Sequence, residues 1–232
     1  MALSYAFPFV NRTAAGHALA DRLQHAPVRP NPANTLVLAL PRGGVPVAAA
    51  IADQLGLPLD VLVVRKLGCP GYSELAMGAV ASGDVLLRNE SVIAARQISE
   101  AALAAELATE RAELQRRERA YRGSRPPLSA ADVRGKAVLL VDDGVATGFS
   151  MRAAIAALRQ LQPARILLAV PVAPADSMAE LQRQADAVYC LETPAPFYAI
   201  GQWYDDFRQL DDDDVRTLLN RHALLHDQGT HL

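Results

Sequence analysis

Two adjacent acids and a turn rich in glycine and hydroxyl groups follow one apolar run of the sequence. Residues 138–150 read VLLVDDGVATGFS, so that four aliphatic residues lead directly into Asp142 and Asp143. Backbone N–H groups at the start of a helix form a site for an oxyanion, and the hydroxyls of Thr147 and Ser150 add donors. Two carboxylates this close need partners for their charge, and vicinal sugar hydroxyls or Mg²⁺ would provide them. The motif therefore predicts a binding site for a sugar 5-phosphate.

A simpler interpretation of the same motif is an Asp-Gly turn followed by a helix cap, because Asp-Gly is common in turns. That interpretation leaves Asp142 and the Thr-Gly-x-Ser spacing unexplained. A Walker phosphate loop is excluded because no Gly-Lys-Ser or Gly-Lys-Thr follows, and the dinucleotide pattern GxGxxG is also absent.

Basic residues also lie directly after two other apolar runs. Arg42, with Gly43 beside it, follows residues 35–40, and Arg65 and Lys66 follow residues 59–64. Positive charge at the ends of strands, next to a glycine backbone that an anion can approach closely, suits a diphosphate. The alternative is an ordinary connection with surface-exposed basic side chains, since short glycine motifs are weak evidence on their own.

The segment after Lys66 contains Gly68, Pro70 and Gly71 and few residues that would anchor it. It is predicted to be a loop able to fold over a site and exclude water. Glu74 is its ionisable acid. It is either a residue that meets the substrate or a solvated surface glutamate.

Short apolar runs alternate with amphipathic stretches along the chain. The runs predict strands over residues 35–40, 59–64, 137–141, 165–170 and 187–191, a hairpin over 77–88, and helices over 11–25, 45–55, 89–121, 149–161, 174–184 and 211–225. Strands that are apolar on both faces and alternate with helices indicate an α/β fold with a doubly wound, mainly parallel sheet flanked by helices. Ligands bind beyond the carboxyl ends of such strands, where all three groups of candidate residues lie.

Composition sets the broad class of the protein. The chain has 232 residues, of which 51% are apolar and 21% charged, with a net charge of −2, which is typical of a globular protein. The charge provides no positive field to attract nucleic acid, and no apolar run reaches the ~18 residues of a membrane span. Two cysteines are too few for a disulfide framework, and the first ten residues lack a secretory pattern. A cytoplasmic location is therefore expected.

The first motif resembles the signature that binds phosphoribosyl pyrophosphate (PRPP) in type I phosphoribosyltransferases. The resemblance implies that Asp142 and Asp143 hold the ribose hydroxyls. It implies that the following turn cradles the 5-phosphate through Gly144, Val145, Ala146, Thr147, Gly148 and Ser150. The resemblance to this family extends from about residue 35 to about residue 170.

The same resemblance assigns roles to the other two groups. Arg42 and Gly43 would form the pyrophosphate loop, with a non-proline cis peptide between them. Arg65 and Lys66 would neutralise the leaving pyrophosphate, and Glu74 would be the acid of a mobile lid. Mg²⁺ would be bound mainly through PRPP, so that no metal site built from protein ligands alone is expected.

Two residues depart from the patterns of the family. Gly144 stands where an aliphatic residue or serine is usual, which predicts a looser phosphate loop. Ala146 stands where the 6-oxopurine branch has an aspartate near the purine N7, so the turn is more similar to the adenine branch. Aromatic residues within 193–207 include Trp203 and Tyr204, which either stack on a base or fill a small core.

The resemblance implies one domain over residues 1–232, with a core at about 35–192, a helical insertion at about 89–122 and a C-terminal hood or subcore at about 193–232. It implies Mg²⁺-dependent transfer of a phosphoribosyl group from PRPP to a nucleobase-like nitrogen, in which Arg42, Lys66, Glu74 and Asp143 would be catalytic. The expected partners are small molecules and further copies of the chain. The alternatives are a PRPP-sensing regulator, a PRPP-binding module without catalysis, and a hydrolase that releases ribose 5-phosphate.

Overall fold

The computed structural model describes residues 8–123 and 125–229, apart from the side chains of residues 73, 74 and 223–229. The strands in this part of the chain are β1 (Thr35–Ala39), β2 (Leu59–Val61), β3 (Val64–Cys69), β4 (Tyr72–Ala81), β5 (Val85–Arg88), β6 (Ala137–Val141), β7 (Arg165–Val172) and β8 (Ala187–Glu192). The helices are α1 (Arg12–Gln24), α2 (Gly44–Leu55), α3 (Glu90–Ala95), α4 (Glu100–Arg122), α5 (Ala130–Val133), α6 (Phe149–Gln160), α7 (Ala175–Gln182) and α8 (Asp212–Gly229).

A five-stranded parallel sheet in the order β2-β1-β6-β7-β8 forms the centre of the fold. Alternate residues of its strands enter two separate cores. Val37 and Ala39 pack on the side that includes α1 and α2, whereas Leu36 and Leu38 pack on the side that includes α6. Since both faces of the strands are buried, the apolar runs are continuous. The predicted doubly wound, mainly parallel α/β sheet is confirmed.

The winding direction of the sheet changes at β1. The chain passes from β1 to β2 on one side and later returns to β6 on the other. At this switch point Ala39 is paired with Val141, and the amide of Leu40 donates to the carbonyl of Val141 at 2.9 Å. The loops after β1 and β6 therefore lie side by side, in the crevice where such sheets bind ligands.

A separate three-stranded antiparallel sheet, in the order β3-β4-β5, follows β2. The predicted hairpin over residues 77–88 is part of it. The predicted loop after Lys66 is different, because β3 and β4 pair from Val64 and Ala81 to Cys69 and Tyr72. Register shifts near Gly68 interrupt this ladder, and the strand pattern is correspondingly weak in the sequence.

The predicted helix over residues 89–121 is divided into α3 and α4. The break contains Gln97 in a left-handed conformation, with φ of 50°. The Ser99 side chain then caps the new helix by accepting from the amide of Ala102 at 3.2 Å. Helix α4 packs against β3, β4 and α8.

The two ends of the described chain meet beside the main sheet. Phe9 forms a β-bridge with Tyr204, and α8 packs against α2 and α4. We refer to these packed chain ends as the hood. No described helix has both the length and the apolar character needed to cross a membrane.

Candidate functional site

The acid pair lies at the carboxyl end of β6. Asp143 is buried, with 8% of its surface exposed, whereas Asp142 is half-buried. The Asp142 Oδ1 atom accepts from the amide of Asp143 at 2.9 Å. The Asp142 carboxylate is therefore held against the backbone at the strand end, and Asp143 is buried beside it.

Residues from both chain ends hold Asp143 in place. The Nε of Arg12 donates to Asp143 Oδ2 at 2.7 Å, and its guanidinium carbon lies 3.8 Å from the centroid of the Phe207 ring. The hydroxyl of Tyr204 donates to the backbone carbonyl of Asp143 at 2.5 Å. Asp143 thus has an oriented side chain and a buried counter-charge.

Burial raises the pKa of both acids. For Asp142 the second cause is the charge of Asp143, and the pKa rises well above its ordinary value. For Asp143 burial is the largest cause, and the guanidinium of Arg12 opposes it. The pair is therefore electrostatically unfavourable in the unliganded protein, as expected where function and stability conflict.

Replacing Asp142 with asparagine is expected to stabilise the protein near neutral pH. Because the pKa of Asp142 is raised in the folded state, the folded protein binds more protons at this carboxyl than the unfolded chain does at pH values above the ordinary pKa of an aspartate. The free energy of unfolding of the wild type therefore falls as pH rises from about 4 through the raised pKa. Asparagine keeps the carbonyl that accepts from Asp143 and removes the charge, and we expect a gain of about 0.5–2 kcal/mol.

Urea unfolding at about pH 4 and at neutral pH measures this effect. The increase in the free energy of unfolding caused by Asp142→Asn should be larger at neutral pH than at about pH 4. Asp214 is a control of opposite sign, because a hydrogen bond from Arg208 lowers its pKa to about 2. Asp214→Asn should lose stability at neutral pH. An Asp142→Asn variant that is no more stable than the wild type at neutral pH contradicts the assignment.

The turn after the acid pair contains amides that have no hydrogen-bond partner in the described structure. The amide of Val145 donates to the carbonyl of Val172 at 2.9 Å. Within the described part of the chain, no hydrogen bond forms from the amides of Thr147, Gly148, Phe149 or Ser150. Thr147 and Ser150 are exposed, as is Ala146. Unpaired amides at the N-terminus of α6 are the groups that bind an oxyanion.

Arg152 of α6 connects this turn to α7. Its guanidinium donates to the carbonyl of Thr147 at 2.8 Å and to Glu180 Oε2 at 3.0 Å. Gly148, which precedes the helix, has φ of 74°. The turn is thus held by α6 and α7 while its amides stay open.

Gly144 is required for packing, and the prediction of a looser loop at this position is wrong. A Cβ on Gly144 would lie 2.6 Å from Ile200 Cγ2 and 3.2 Å from Val172 Cγ1. The residue is buried, and the next amide is hydrogen-bonded to β7. The hood therefore packs directly on the backbone of the turn, and a larger residue at this position would require Ile200 to move.

Gly144→Ala is expected to destabilise the protein by about 1–3 kcal/mol, because the added methyl group overpacks a filled site. Ile200→Ala removes the atoms it would strike. The double variant should therefore be more stable than the sum of the two single effects predicts, as measured by a double-mutant cycle of urea unfolding. Additive effects would show that Ile200 does not limit the space at Gly144.

The loop after β1 packs against the acid pair. Gly43 has φ of −60° and ψ of −36°. A Cβ at this position would overlap the Asp143 carboxylate, at 2.5 Å from its Cγ. The non-proline cis peptide expected at Arg42–Gly43 lies one bond earlier, at Pro41–Arg42. The loop still begins directly at the end of the strand, next to Asp142 and Asp143.

Asp212, at the start of α8, connects this loop to α4. Its carboxylate accepts from the Tyr121 hydroxyl at 2.8 Å and from Arg116 at 3.0 Å, and lies 3.7 Å from the guanidinium of Arg42. Arg42 is therefore oriented by the C-terminal hood. Nothing in the local sequence pattern predicts this connection.

Arg65 and Lys66 do not act as one cationic group. Neighbouring residues of a strand point to opposite faces, and Arg65 is paired with Glu110 of α4 at 2.6 Å. Lys66 forms no ion pair with any described residue and is half-buried. The structure thus corrects the prediction for Arg65, whose charge is engaged by α4. The side chain of Glu74, the predicted lid acid, lies outside the described residues.

The predicted base-binding role of Tyr204 is wrong. Its ring is 6% exposed, lies 5.1 Å from the Phe207 ring and 5.6 Å from the Phe9 ring, and is part of the core. The bridge to Phe9 turns this ring inward, where its hydroxyl supports Asp143. Trp203 is half-buried and packs against Phe197, with 6.1 Å between ring centroids.

A cavity of about 430 Å³ adjoins the acid pair. Its walls include Arg12, Arg42, Gly43, Asp143, Phe207 and Gln209. This volume falls in the range of small-molecule sites. The cavity brings together the loop after β1, one acid of the pair and the chain ends.

Comparison with known proteins assigns the chain to a family. The model of the phosphoribosyl transferase domain matches residues 13–204. Because this match covers most of the chain, the protein belongs to the phosphoribosyl transferase domain family.

Two sets of similar proteins extend this result. The chain is 42% identical over 213 residues to the candidate phosphoribosyl transferases Rv0571c and MT0597 of two Mycobacterium tuberculosis strains. The match covers 92% of this chain and 46% of those proteins, so the chain spans about half the length of these relatives. The crystal structure of TT1426 from Thermus thermophilus is similar over 92% of this chain and 98% of that one, with 41% identity and a TM-score of 0.79.

Proposed function

We propose that the chain is a phosphoribosyltransferase that transfers the phosphoribosyl group of PRPP to a nucleobase-like nitrogen and releases pyrophosphate. The observation that carries this proposal is the juxtaposition, at the switch point of the sheet, of an oriented acid pair with a turn of free amides. Membership of the phosphoribosyl transferase domain family supports the same substrate.

Each part of the substrate has a complementary group in the proposed site. The free amides from Thr147 to Ser150 receive the 5-phosphate, and Asp142 and Asp143 accept hydrogen bonds from the ribose hydroxyls. The diphosphate lies towards Arg42 and Gly43, and Lys66 contributes positive charge from β3, which follows β2 in the chain. Carboxylate acceptors form stronger hydrogen bonds to hydroxyls than neutral acceptors do.

The proposed reaction breaks the bond between the ribose C1 and the pyrophosphate oxygen while a nitrogen of the acceptor forms a new bond to C1. Positive charge develops on the sugar and negative charge on the leaving group. Arg42 and Lys66 would stabilise the departing charge, which is the main way that such sites lower a barrier. Residues 204–212 would cover the site and limit attack by water.

Mg²⁺ is proposed to arrive on PRPP, where it neutralises diphosphate charge. In the described part of the chain, no group of three or more His, Cys, Asp or Glu side chains is arranged to hold a metal ion. The carboxylates of Asp142 and Asp143 offer oxygen ligands, which suit an ion bound through one or two carboxylates and substrate phosphates.

A PRPP-binding regulator is the second candidate. The buried ion pair between Arg12 and Asp143 favours it, because this contact occupies one oxygen of an acid assigned to the sugar. In that case PRPP binding would rearrange the chain ends without transfer. A cytoplasmic location and a homo-oligomeric state accompany both proposals.

Turnover separates these candidates. The protein is mixed with PRPP, Mg²⁺ and each common nucleobase in turn, and released pyrophosphate is measured, with a reaction lacking base to detect hydrolysis. We expect base-dependent release. PRPP binding without pyrophosphate release from any mixture would contradict the transferase and leave the regulator, and base-independent release would indicate a hydrolase.

A further inference from the structure

A second and larger cavity is lined by residues of α4. It has a volume of about 760 Å³ and is enclosed by α4, the turn between β4 and β5, and the segment that leads into α5. It shares no lining residue with the cavity beside Asp143. We refer to it as the α4 cavity. Its size is typical of small-molecule sites.

The α4 cavity contains buried polar atoms without partners. Glu118 lines it with 6% of its surface exposed, and its Oε1 atom has no hydrogen-bond partner among the described residues. The Nε of Arg111 is buried and lacks a partner in the same way. Buried polar groups are nearly always paired in proteins. An unpaired acceptor and an unpaired donor on two residues that line the same wall are therefore candidates for contact with a ligand.

The environment of Glu118 explains how the carboxyl is tolerated without a ligand. Burial raises its pKa, which the hydroxyl of Ser82 and the charge of Arg122 oppose. Arg122 itself is ion-paired with buried Asp60 and donates to the carbonyl of Pro126. Its charge acts on Glu118 from a distance, but its hydrogen bonds to described residues go to Asp60 and Pro126.

The rim of the cavity is positively charged. Arg111, Arg119, Arg122 and Arg125 line it, against Asp84 and Glu118. Arg111 is paired with Asp84 at 2.9 Å, and Arg125 lies 3.6 Å from Asp60. Arg119 is exposed and forms no ion pair with any described residue. An anionic group would find its strongest available partner at Arg119, with Arg125 nearby.

Apolar residues form a large part of the remaining wall. Val80, Leu114, Pro127 and Leu128 line the cavity, which suits a flat ring. Arg111 and Glu118 are seven residues apart on α4, so that their positions differ by about 10 Å along the helix axis. A ligand that contacts both ends has the length of a ring joined to a sugar and a phosphate.

We propose that the α4 cavity is a second ligand site, which binds a phosphate monoester carrying a flat, hydrogen-bonding ring, of the class of a nucleoside monophosphate. The phosphate lies on Arg119 and Arg125, and a sugar hydroxyl next to it donates to Glu118. The ring packs on Leu114 and Leu128 and accepts from the Nε of Arg111 at the other end of the cavity. This site is independent of the proposed transfer reaction.

Calorimetric titration of the full chain with AMP and with GMP tests the proposal. At least one is expected to bind, and Arg119→Gln should weaken its binding at least about fivefold, since a hydrogen bond to a charged group is lost. Arg117→Gln is the matched control, because Arg117 is on the same helix but is paired with Glu113 at 2.8 Å. It should leave the affinity unchanged. Glu118→Gln should also weaken binding while keeping the shape of the wall.

Hydrogen exchange locates the ligand, because a nucleotide would also fit a phosphoribosyl site. Protection of residues 111–130 on addition of nucleotide is expected. No binding of either nucleotide at millimolar concentration would overturn the proposal. Binding that Arg119→Gln leaves intact, with protection confined to residues 142–152, would also overturn it, because the ligand would then occupy the acid-pair site.

Discussion

An Asp143→Asn variant is expected to lose PRPP affinity by well over tenfold, which corresponds to more than about 1.4 kcal/mol. The reason is that a charged acceptor for a ribose hydroxyl becomes neutral. Asparagine keeps the backbone carbonyl that Tyr204 holds and a side-chain oxygen near Arg12, so the position of the residue is preserved. Isothermal titration with PRPP and Mg²⁺ measures the loss.

Stability must be separated from binding in this experiment, because Arg12 is left with a weaker partner. Removing one member of a buried ion pair costs up to about 3–5 kcal/mol. The double variant Arg12→Gln/Asp143→Asn has no buried charge at this contact. It should recover stability without recovering PRPP affinity. Asp186→Asn, which alters a surface pair with Arg159, should leave affinity unchanged.

Unchanged PRPP affinity in a folded Asp143→Asn protein would contradict the assignment of the acid pair. Recovery of affinity in the double variant would show that the defect of Asp143→Asn comes from the unpaired Arg12. In that case the carboxylate would be structural.

A Gly43→Ala variant is expected to lose PRPP binding at least as completely. The backbone of Gly43 is already in the right-handed helical region, so alanine adds no strain there, and the effect comes from its methyl group alone. That group would overlap the Asp143 carboxylate. Either the loop or the acid must move, which costs about 1–3 kcal/mol of stability and separates Arg42 from Asp143.

Binding of PRPP and thermal unfolding should both be measured for Gly43→Ala. Gly56→Ala is the control, because a Cβ there meets open space and only its φ of 63° is unfavourable. It should lose some stability and no affinity. A Gly43→Ala protein that binds PRPP as the wild type does would show that the loop after β1 does not act together with the acid pair.

The central sheet could be predicted because its strands carry their own signal. Residues 35–40 and 137–141 are apolar on both faces, and this pattern occurs in parallel sheets covered by helices. The acid pair and the open turn after β6 could also be predicted, because their residues are close together in the sequence. They lie at a strand end, where parallel sheets bind ligands.

The contacts that complete the site could not be predicted in this way. Arg12 and Asp143 are 131 residues apart, and Tyr204 and Asp143 are 61 apart. Neither pairing leaves a periodic signal, because each depends on how the chain ends pack. The prediction for Gly144 is wrong for a related reason. A glycine in a turn favours flexibility when only local sequence is considered, and Ile200 is far away along the chain.

The hairpin of β3 and β4 could not be predicted because its sequence contains the residues that usually mark a loop. Gly68, Pro70 and Gly71 lie at or near its turn, and the ladder shifts register around Gly68. Pairing along a distorted ladder depends on the partner strand more than on local preference. This hairpin also determines that Arg65 faces α4.

A crystal structure of the protein with ribose 5-phosphate and Mg²⁺ would test the central claim most directly. We predict phosphate oxygens about 3 Å from the amides of Thr147 to Ser150 and ribose hydroxyls on the carboxylates of Asp142 and Asp143. A turn that stays free of phosphate while the ligand is bound elsewhere, with no sugar hydroxyl on either acid, would contradict the account.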